Sequence, residues 1–242
     1  MIGYYALAPG GAKHRGSPKK IRRNMPDPVP VRRTYFCNVM KNFIYLVVII
    51  ITGTFTFQYF VNADYAIVNN PPTGETIVSF GDSLTYGTGA SEGMDYPSQL
   101  SVLIHDKIIN KGKPGDTTKT ALSRIDDLLE LNPKIVLLTL GGNDLKNGVK
   151  KNEAFSNLRI IIQRIQNQGA LVVLGGIDIP MRGNGYAEAY EILARETGAV
   201  LVPNVFEGIM GKSQLMSDRI HPNDAGYSIM AQYFYSALEP YL

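Results

Sequence analysis

Residues Thr76–Gly89 read T-I-V-S-F-G-D-S-L-T-Y-G-T-G. The apolar start of this stretch (Ile77, Val78, Phe80) stops at Gly81-Asp82-Ser83, and Gly87 and Gly89 follow closely. A short apolar, β-branched run bounded by such residues is a buried strand entering a tight turn. Ser83 stands at the tip of that turn, where a hydroxyl at a strand end is a candidate nucleophile. Gly-Asp-Ser is also ordinary turn chemistry, so the rest of the chain has to decide between the two.

Downstream the pattern alternates. Strands are expected at Thr76–Phe80, Lys107–Asn110, Ile135–Leu140, Leu171–Gly175 and Val200–Val202. Helices are expected at Tyr96–His105, Thr118–Leu131, Asn152–Gln168, Gly185–Thr197 and Asp224–Leu238, with Asp116-Thr117 and Asn223-Asp224 as N-caps. The strands are continuous apolar runs, which implies burial on both faces and a parallel sheet. Strict β/α alternation predicts a doubly wound α/β sandwich.

Upstream the composition changes. Residues 1–41 are rich in Gly and Pro, lack apolar periodicity and are read as a disordered basic leader. They hold nine of the chain's 24 Lys and Arg but only one of its 21 acids, Asp27. The remaining 15 basic and 20 acidic residues give 42–242 a net charge of −5, which argues against nucleic-acid binding. Cys37, the only cysteine, lies in the leader, so no intrachain disulfide or cysteine-based metal site can form.

Phe43–Val61 is uniformly apolar, and no charge occurs between Lys41 and Asp64. As a helix it would extend roughly 28 Å, close to a bilayer core. Segment 42–63 is therefore expected to be a transmembrane anchor or signal, with the membrane met through residues 43–61. The flanking positive charge predicts a cytoplasmic leader and an exported (periplasmic or extracellular) domain. Val61-Asn62-Ala63 fits a cleavage site and a start at Met40 would resemble a signal peptide, but an uncleaved anchor is the preferred expectation. Residues 64–75, with Asn69-Asn70-Pro71-Pro72, are read as a linker and 76–242 as the folded domain.

Four polar clusters follow strands: Gly81-Asp82-Ser83, Pro114-Gly115-Asp116-Thr117, Gly141-Gly142-Asn143-Asp144 and Asp218-Arg219-Ile220-His221-Pro222-Asn223. In a parallel sheet these ends share one edge, where open α/β sheets carry their sites. A serine hydroxyl needs a base within hydrogen-bond reach. His14 lies in the leader and His105 ends a helix as a surface or capping residue, which leaves His221. Asp218, three residues earlier, can hold the imidazole Nδ1–H and fix its tautomer. An oxyanion formed at an acyl carbon needs donors already aimed at it, and the candidates are the N–H groups of Ser83 and Gly115 and the Asn143 amide. Asp82 and Asp144 are assigned to holding loops through local backbone hydrogen bonds. No Walker A, dinucleotide-binding or H-E-x-x-H pattern occurs, so no cofactor and no metal are expected.

These motifs resemble those of a known family. G-D-S-L at 81–84, G-D-T at 115–117, G-G-N-D at 141–144 and D-R-I-H-P-N at 218–223 resemble, in order, the four blocks of SGNH (GDSL-type) hydrolases. The resemblance covers about 76–242 and comes nearest to the bacterial thioesterase/lysophospholipase/arylesterase branch. It implies a flavodoxin-like three-layer α/β/α sandwich with a five-stranded parallel sheet. It also implies Ser83 as nucleophile, Gly115 and Asn143 as oxyanion donors, and His221 with Asp218 as base pair. The substrate it implies is a small-molecule ester, thioester or lipid. The acyl group is expected along loops Leu145–Lys151 and Ile177–Gly185, where Ile179, Pro180 and Met181 offer apolar surface. The alternatives are a carbohydrate or peptidoglycan O-acetylesterase and, in another class, a non-catalytic membrane-anchored envelope protein.

Overall fold

A computed structural model describes residues 65–179 and 185–242, together with Tyr45. The expected leader and membrane segment (Tyr45 apart) therefore lie outside the described residues, as do Pro180 and Met181. Among the described residues no helix is long and apolar enough to cross a membrane.

The domain is an α/β fold on one five-stranded parallel sheet. Its strands are β1 (Thr76–Gly81), β2 (Ile108–Gly112), β3 (Pro133–Thr139), β4 (Leu171–Gly175) and β5 (Val200–Val202), in the order β2-β1-β3-β4-β5. Val78, Phe80, Leu137, Leu138 and Val172 are fully buried, so β1, β3 and β4 are covered on both faces. β2 departs from that expectation: its residues are half-buried or exposed, because it is an edge strand. It also starts one residue later than read from the pattern and runs on to Gly112, where Lys111 suits an exposed edge.

Because the chain reverses direction across the sheet once, after β2, right-handed crossovers put the helix between β1 and β2 on one face and those of the later crossovers on the other. α2 (Tyr96–Ile104) packs against α8 (Asp224–Leu238). α3 (Thr118–Leu122), α6 (Lys151–Gln166) and α7 (Tyr186–Thr197) pack in a row. The helices form there because their apolar residues recur at helical spacing. On α6, Ala154, Leu158, Ile161, Ile162 and Ile165 share one buried stripe. Each large side chain buried in this way contributes roughly 1.5–3 kcal/mol. Tyr96 of α2 stacks on Phe234 of α8 with ring centroids 4.8 Å apart. The Tyr96 hydroxyl meets those of Ser79 (2.6 Å), Thr85 and Thr139 (3.1 Å each) beneath the strand ends.

Two short helices were not evident from periodicity: α1 (Ser83–Tyr86) and α5 (Gly142–Lys146). The long helix expected over 118–131 is broken into α3 and α4 (Ile125–Leu129). The break falls at Arg124, which has φ −117° and ψ 19°. Its guanidinium turns inward: Nε donates to Asp116 Oδ2 at 2.6 Å, Nη2 donates to the Gly81 carbonyl at 3.0 Å, and the plane lies 4.1 Å from the Phe80 ring centroid.

The stretch read as a linker has no regular element but is fastened to the domain over 65–75. Tyr65 Oη donates to Ala199 O, Val68 N to Gly198 O, and Asn69 Nδ2 to Gln166 O and Ala170 O. Linker composition did not report these contacts because they are made by backbone acceptors at the far ends of α6 and α7.

Replacing Arg124 with Met should destabilise the domain by about 3 kcal/mol, since it strands the Asp116 carboxylate, only 4% exposed, without its cation. Urea denaturation of the variant should show a lower midpoint with an unchanged m-value.

Candidate active site

In-register pairing places Gly81 beside both Gly112 and Thr139, so β1, β2 and β3 end together. The loops that carry the chemistry start at that edge. Asp82 caps α1, its Oδ1 accepting the Leu84 N–H at 3.0 Å, and Ser83 is the first residue of the helix. Ser83 Oγ lies 3.1 Å from His221 Nε2, across 138 residues of sequence. His221 Nδ1–H donates to Asp218 Oδ2 at 2.7 Å. Asp218 Oδ1 accepts the N–H groups of Ile220 (2.7 Å) and His221 (2.8 Å), so one carboxylate shapes the turn and orients the ring.

The loop that carries this pair is seated on the serine loop. Gly89 has φ +94°, and a Cβ there would lie 2.1 Å from Ser217 Oγ and 2.8 Å from the Pro222 carbonyl, so only glycine allows the approach. Tyr227 Oη donates to Thr88 O at 2.9 Å, and Thr88 N donates to Ser83 O. Asp224 Oδ1 accepts the Ser91 N–H at 2.7 Å. The Asn223 side chain caps α8 by accepting the Gly226 N–H.

The structure brings Asn143 to the same place. Its Nδ2 donates to the Asp116 carbonyl at 2.9 Å and, at a longer 3.3 Å, to Asp82 Oδ2. Gly115 has φ +87°, and a Cβ there would meet nothing within 4 Å. It belongs to the next loop along the rim but not to the cavity lining around Ser83. Among the described residues neither the Ser83 nor the Gly115 N–H has an acceptor.

Three acids lie beneath the site. Asp144 is fully buried and binds the Thr118 N–H (2.8 Å) and hydroxyl (2.7 Å), so it ties two neighbouring loops together rather than its own backbone. Asp116 is paired with Arg124, and neither the pair nor the burial of Asp116 follows from sequence spacing. Among the described residues Asp82 has no cation of its own. Burial pushes its carboxyl up to about 7, opposed by the Leu84 hydrogen bond and reinforced by the charges of Asp116 and Asp144. Asp218 is half-exposed, and the His221 hydrogen bond holds its carboxyl down to about 2. It is therefore an anion throughout the range in which an imidazole works.

A cavity of about 590 Å³ opens over Ser83, His221 and Asn143. Leu145, Ile177, Ile179, Phe206 and Met210 form its apolar wall, and Lys146 and Arg219 reach it as well. The parts of 145–151 and 177–185 that line it are thus Leu145, Lys146, Ile177 and Ile179, while Phe206 and Met210 come from a segment that carried no motif. Among the described residues no cluster of three or more His, Cys, Asp or Glu is placed to hold a metal ion.

Residues 79–229 match the model of the GDSL-like Lipase/Acylhydrolase family. The chain belongs to that family. Esterase TesA of Pseudomonas aeruginosa is 29% identical over 188 residues, covering 73% of this chain and 94% of that protein. Thioesterase 1/protease 1/lysophospholipase L1 of Escherichia coli K12 is 33% identical over 175 residues, covering 69% and 84%. A crystal structure of TesA superposes with a TM-score of 0.66 at 28% identity, covering 69% of this chain and all of that one. The four blocks of this GDSL-like hydrolase thus sit on one rim, three of them around a single cavity and the Gly115 loop beside it.

The raised Asp82 carboxyl sets a sign for stability. Below about pH 4 Asp82 is protonated in both states and contributes nothing. Between about pH 4 and pH 7 the unfolded chain releases this proton while the folded chain keeps it, so this contribution lowers stability as pH rises and is complete above pH 7. Chemical denaturation of Asp82→Asn across that window should give a stability that falls less steeply with pH than that of the parent protein.

Proposed function

We propose that this GDSL-like domain is a serine hydrolase of carboxylic esters and thioesters that works through an acyl-enzyme on Ser83. The observation that carries the reading is the relay Ser83 Oγ···His221 Nε2 (3.1 Å) and His221 Nδ1···Asp218 Oδ2 (2.7 Å). As Oγ attacks the acyl carbon, His221 Nε2 takes the Ser83 proton, and Asp218 stabilises the imidazolium without itself accepting a proton. The carbonyl oxygen becomes an oxyanion within reach of the Ser83 N–H and the Asn143 amide, with the Gly115 N–H as the third donor this reading assigns. Collapse breaks the bond to the leaving oxygen or sulfur, which receives the proton from Nε2. Water then attacks the acyl-enzyme, giving its proton to His221, and the carboxylic acid leaves with Ser83 restored.

Several finer points belong to the same reading. The strand order supports a flavodoxin-like three-layer sandwich. The apolar wall favours an acyl chain over the acetyl group of an O-acetylesterase, as do the names of the relatives, an esterase and a thioesterase/lysophospholipase. The apolar run Phe43–Val61 and the basic residues before it support a membrane-held enzyme whose domain works outside the cytoplasm.

Hydrolysis of p-nitrophenyl butyrate should fall by roughly a thousandfold or more in Ser83→Ala and in His221→Ala, with unchanged circular dichroism. A fluorophosphonate probe should label the parent protein and not Ser83→Ala. Asn143→Ala should lose about a hundredfold in kcat with little change in KM, as expected for a donor used mainly in the transition state.

A further inference from the structure

The turn that carries Asn143 has no side chain of its own to set its course. The chain passes the end of β3 at Leu140, turns at Gly141, where φ is +121°, and enters α5 at Gly142. α5 has five residues and no side-chain cap at its N-terminus. Glycine has the most backbone freedom to lose on folding, and two glycines directly precede Asn143. The fixed point comes from another element.

That fixed point is Tyr190 of α7. Its hydroxyl donates to the Leu140 carbonyl at 2.6 Å. A Cβ on Gly141 would collide with the same hydroxyl, so the oxygen fills the space that a side chain at residue 141 would need. Tyr190 is fully buried, and the Phe155 ring of α6 meets it edge to face with centroids 4.9 Å apart. A ring packed in this way has little room to move. Burial pushes the hydroxyl well above the ordinary tyrosine range, so it stays a neutral donor across neutral pH. Tyr186 offers the contrast. Its ring centroid lies 6.4 Å from that of Tyr190, yet among the described residues its buried hydroxyl has no hydrogen-bond partner.

We propose that Tyr190 is a positioning residue for Asn143: by holding the Leu140–Gly141 peptide it fixes the direction in which α5 starts and so where the Asn143 amide points. The role rests on the hydrolase reading given above, in which that amide is an oxyanion donor. The path between them is short. Leu140, Gly141, Gly142 and Asn143 are consecutive, and the Gly141 carbonyl accepts the Leu145 N–H at 3.0 Å, which closes the turn containing Asn143. The Asp116 carbonyl grips the amide itself at 2.9 Å, and Tyr190 holds the backbone behind it.

The test is a double-mutant cycle in the full-length protein with p-nitrophenyl butyrate, active sites being counted by fluorophosphonate labelling of Ser83. Tyr190→Phe removes one oxygen. It should lower kcat about tenfold and leave KM within about twofold, because a displaced oxyanion donor weakens transition-state rather than substrate binding. In the Asn143→Ala background the same change should lower kcat by less than about twofold, since the group it positions is already gone. Tyr186→Phe, which removes a hydroxyl from the same aromatic cluster, should leave kcat unchanged. Should Tyr190→Phe fail to fold, Gly141→Ala sets a methyl against the hydroxyl and should give the same pair of results. An equal loss with and without Asn143, or an equal loss in Tyr186→Phe, reveals general packing and overturns the proposal. A parent protein whose hydrolysis does not depend on Ser83 overturns the hydrolase reading instead.

Discussion

Everything in this domain serves one short distance, the 3.1 Å between a serine hydroxyl and an imidazole nitrogen 138 residues away. Closing a loop that long in a flexible chain is unfavourable, though only logarithmically so in loop length. The sheet meets most of that requirement before the site forms: β1 and the other strands run parallel and their ends lie in register. What remains is a local docking problem between two loops. Gly89 provides the seat, and the hydrogen bonds of Tyr227 to Thr88 and of Asp224 to Ser91 hold α8 against the serine loop. A side chain at residue 89 would push the base away without touching any residue that takes part in the chemistry.

Beneath that contact is a layer of buried charge that a stable core would not need. Asp82, Asp116 and Asp144 are all nearly or fully buried, and each is handled differently. Asp116 is paired with Arg124, Asp144 is satisfied by Thr118, and Asp82 is pushed toward its neutral form by burial. Together they fasten the loops that carry the proposed oxyanion donors. Asp82 fixes the first turn of α1, the Asp116 carbonyl fixes Asn143, and Asp144 fastens the Gly115 loop to the Asn143 loop. Donors held in place before the reaction need no reorganisation when charge develops, which is the source of their effect on rate. The desolvation of the acids is the stability forgone for it.

Much of the sheet was legible because buried parallel strands leave the simplest possible signature, apolar runs of about five residues. Val200–Val202 and Leu171–Gly175 were readable to the residue for that reason. β2 was harder: as an edge strand it carries Asn110 and Lys111, and the alternation of a half-exposed strand looks like a loop. α1 and α5 have four and five residues, too short for a helical period to show. The break at Arg124 was invisible because it is driven by a partner eight residues earlier and a carbonyl on β1. The polar clusters at the strand ends could be read from sequence, but the ionisation of Asp82 could not. Composition does not say that a Gly-Asp-Ser aspartate is 2% exposed while the aspartate of D-R-I-H is half in water. Phe206 and Met210 were missed because a cavity wall carries no motif.

That contrast between the two aspartates explains how the site divides its labour. Asp218 binds His221 within one turn of chain, using hydrogen bonds from Ile220, the His221 backbone and the ring itself. Its carboxylate needs no burial to be held low, so it stays half in water while the ring it orients, only 14% exposed, faces Ser83. Asp82 does the opposite: it sits under the serine, where solvent must be excluded for the oxyanion donors to act strongly. Ser83 and His221, both half-buried, therefore meet along the seam made by Gly89, one beside a buried aspartate and the other beside an exposed one. Substrate choice is free to change in the lining around that seam, at residues such as Leu145, Ile179, Met210 and Arg219, because none of them holds the seam together.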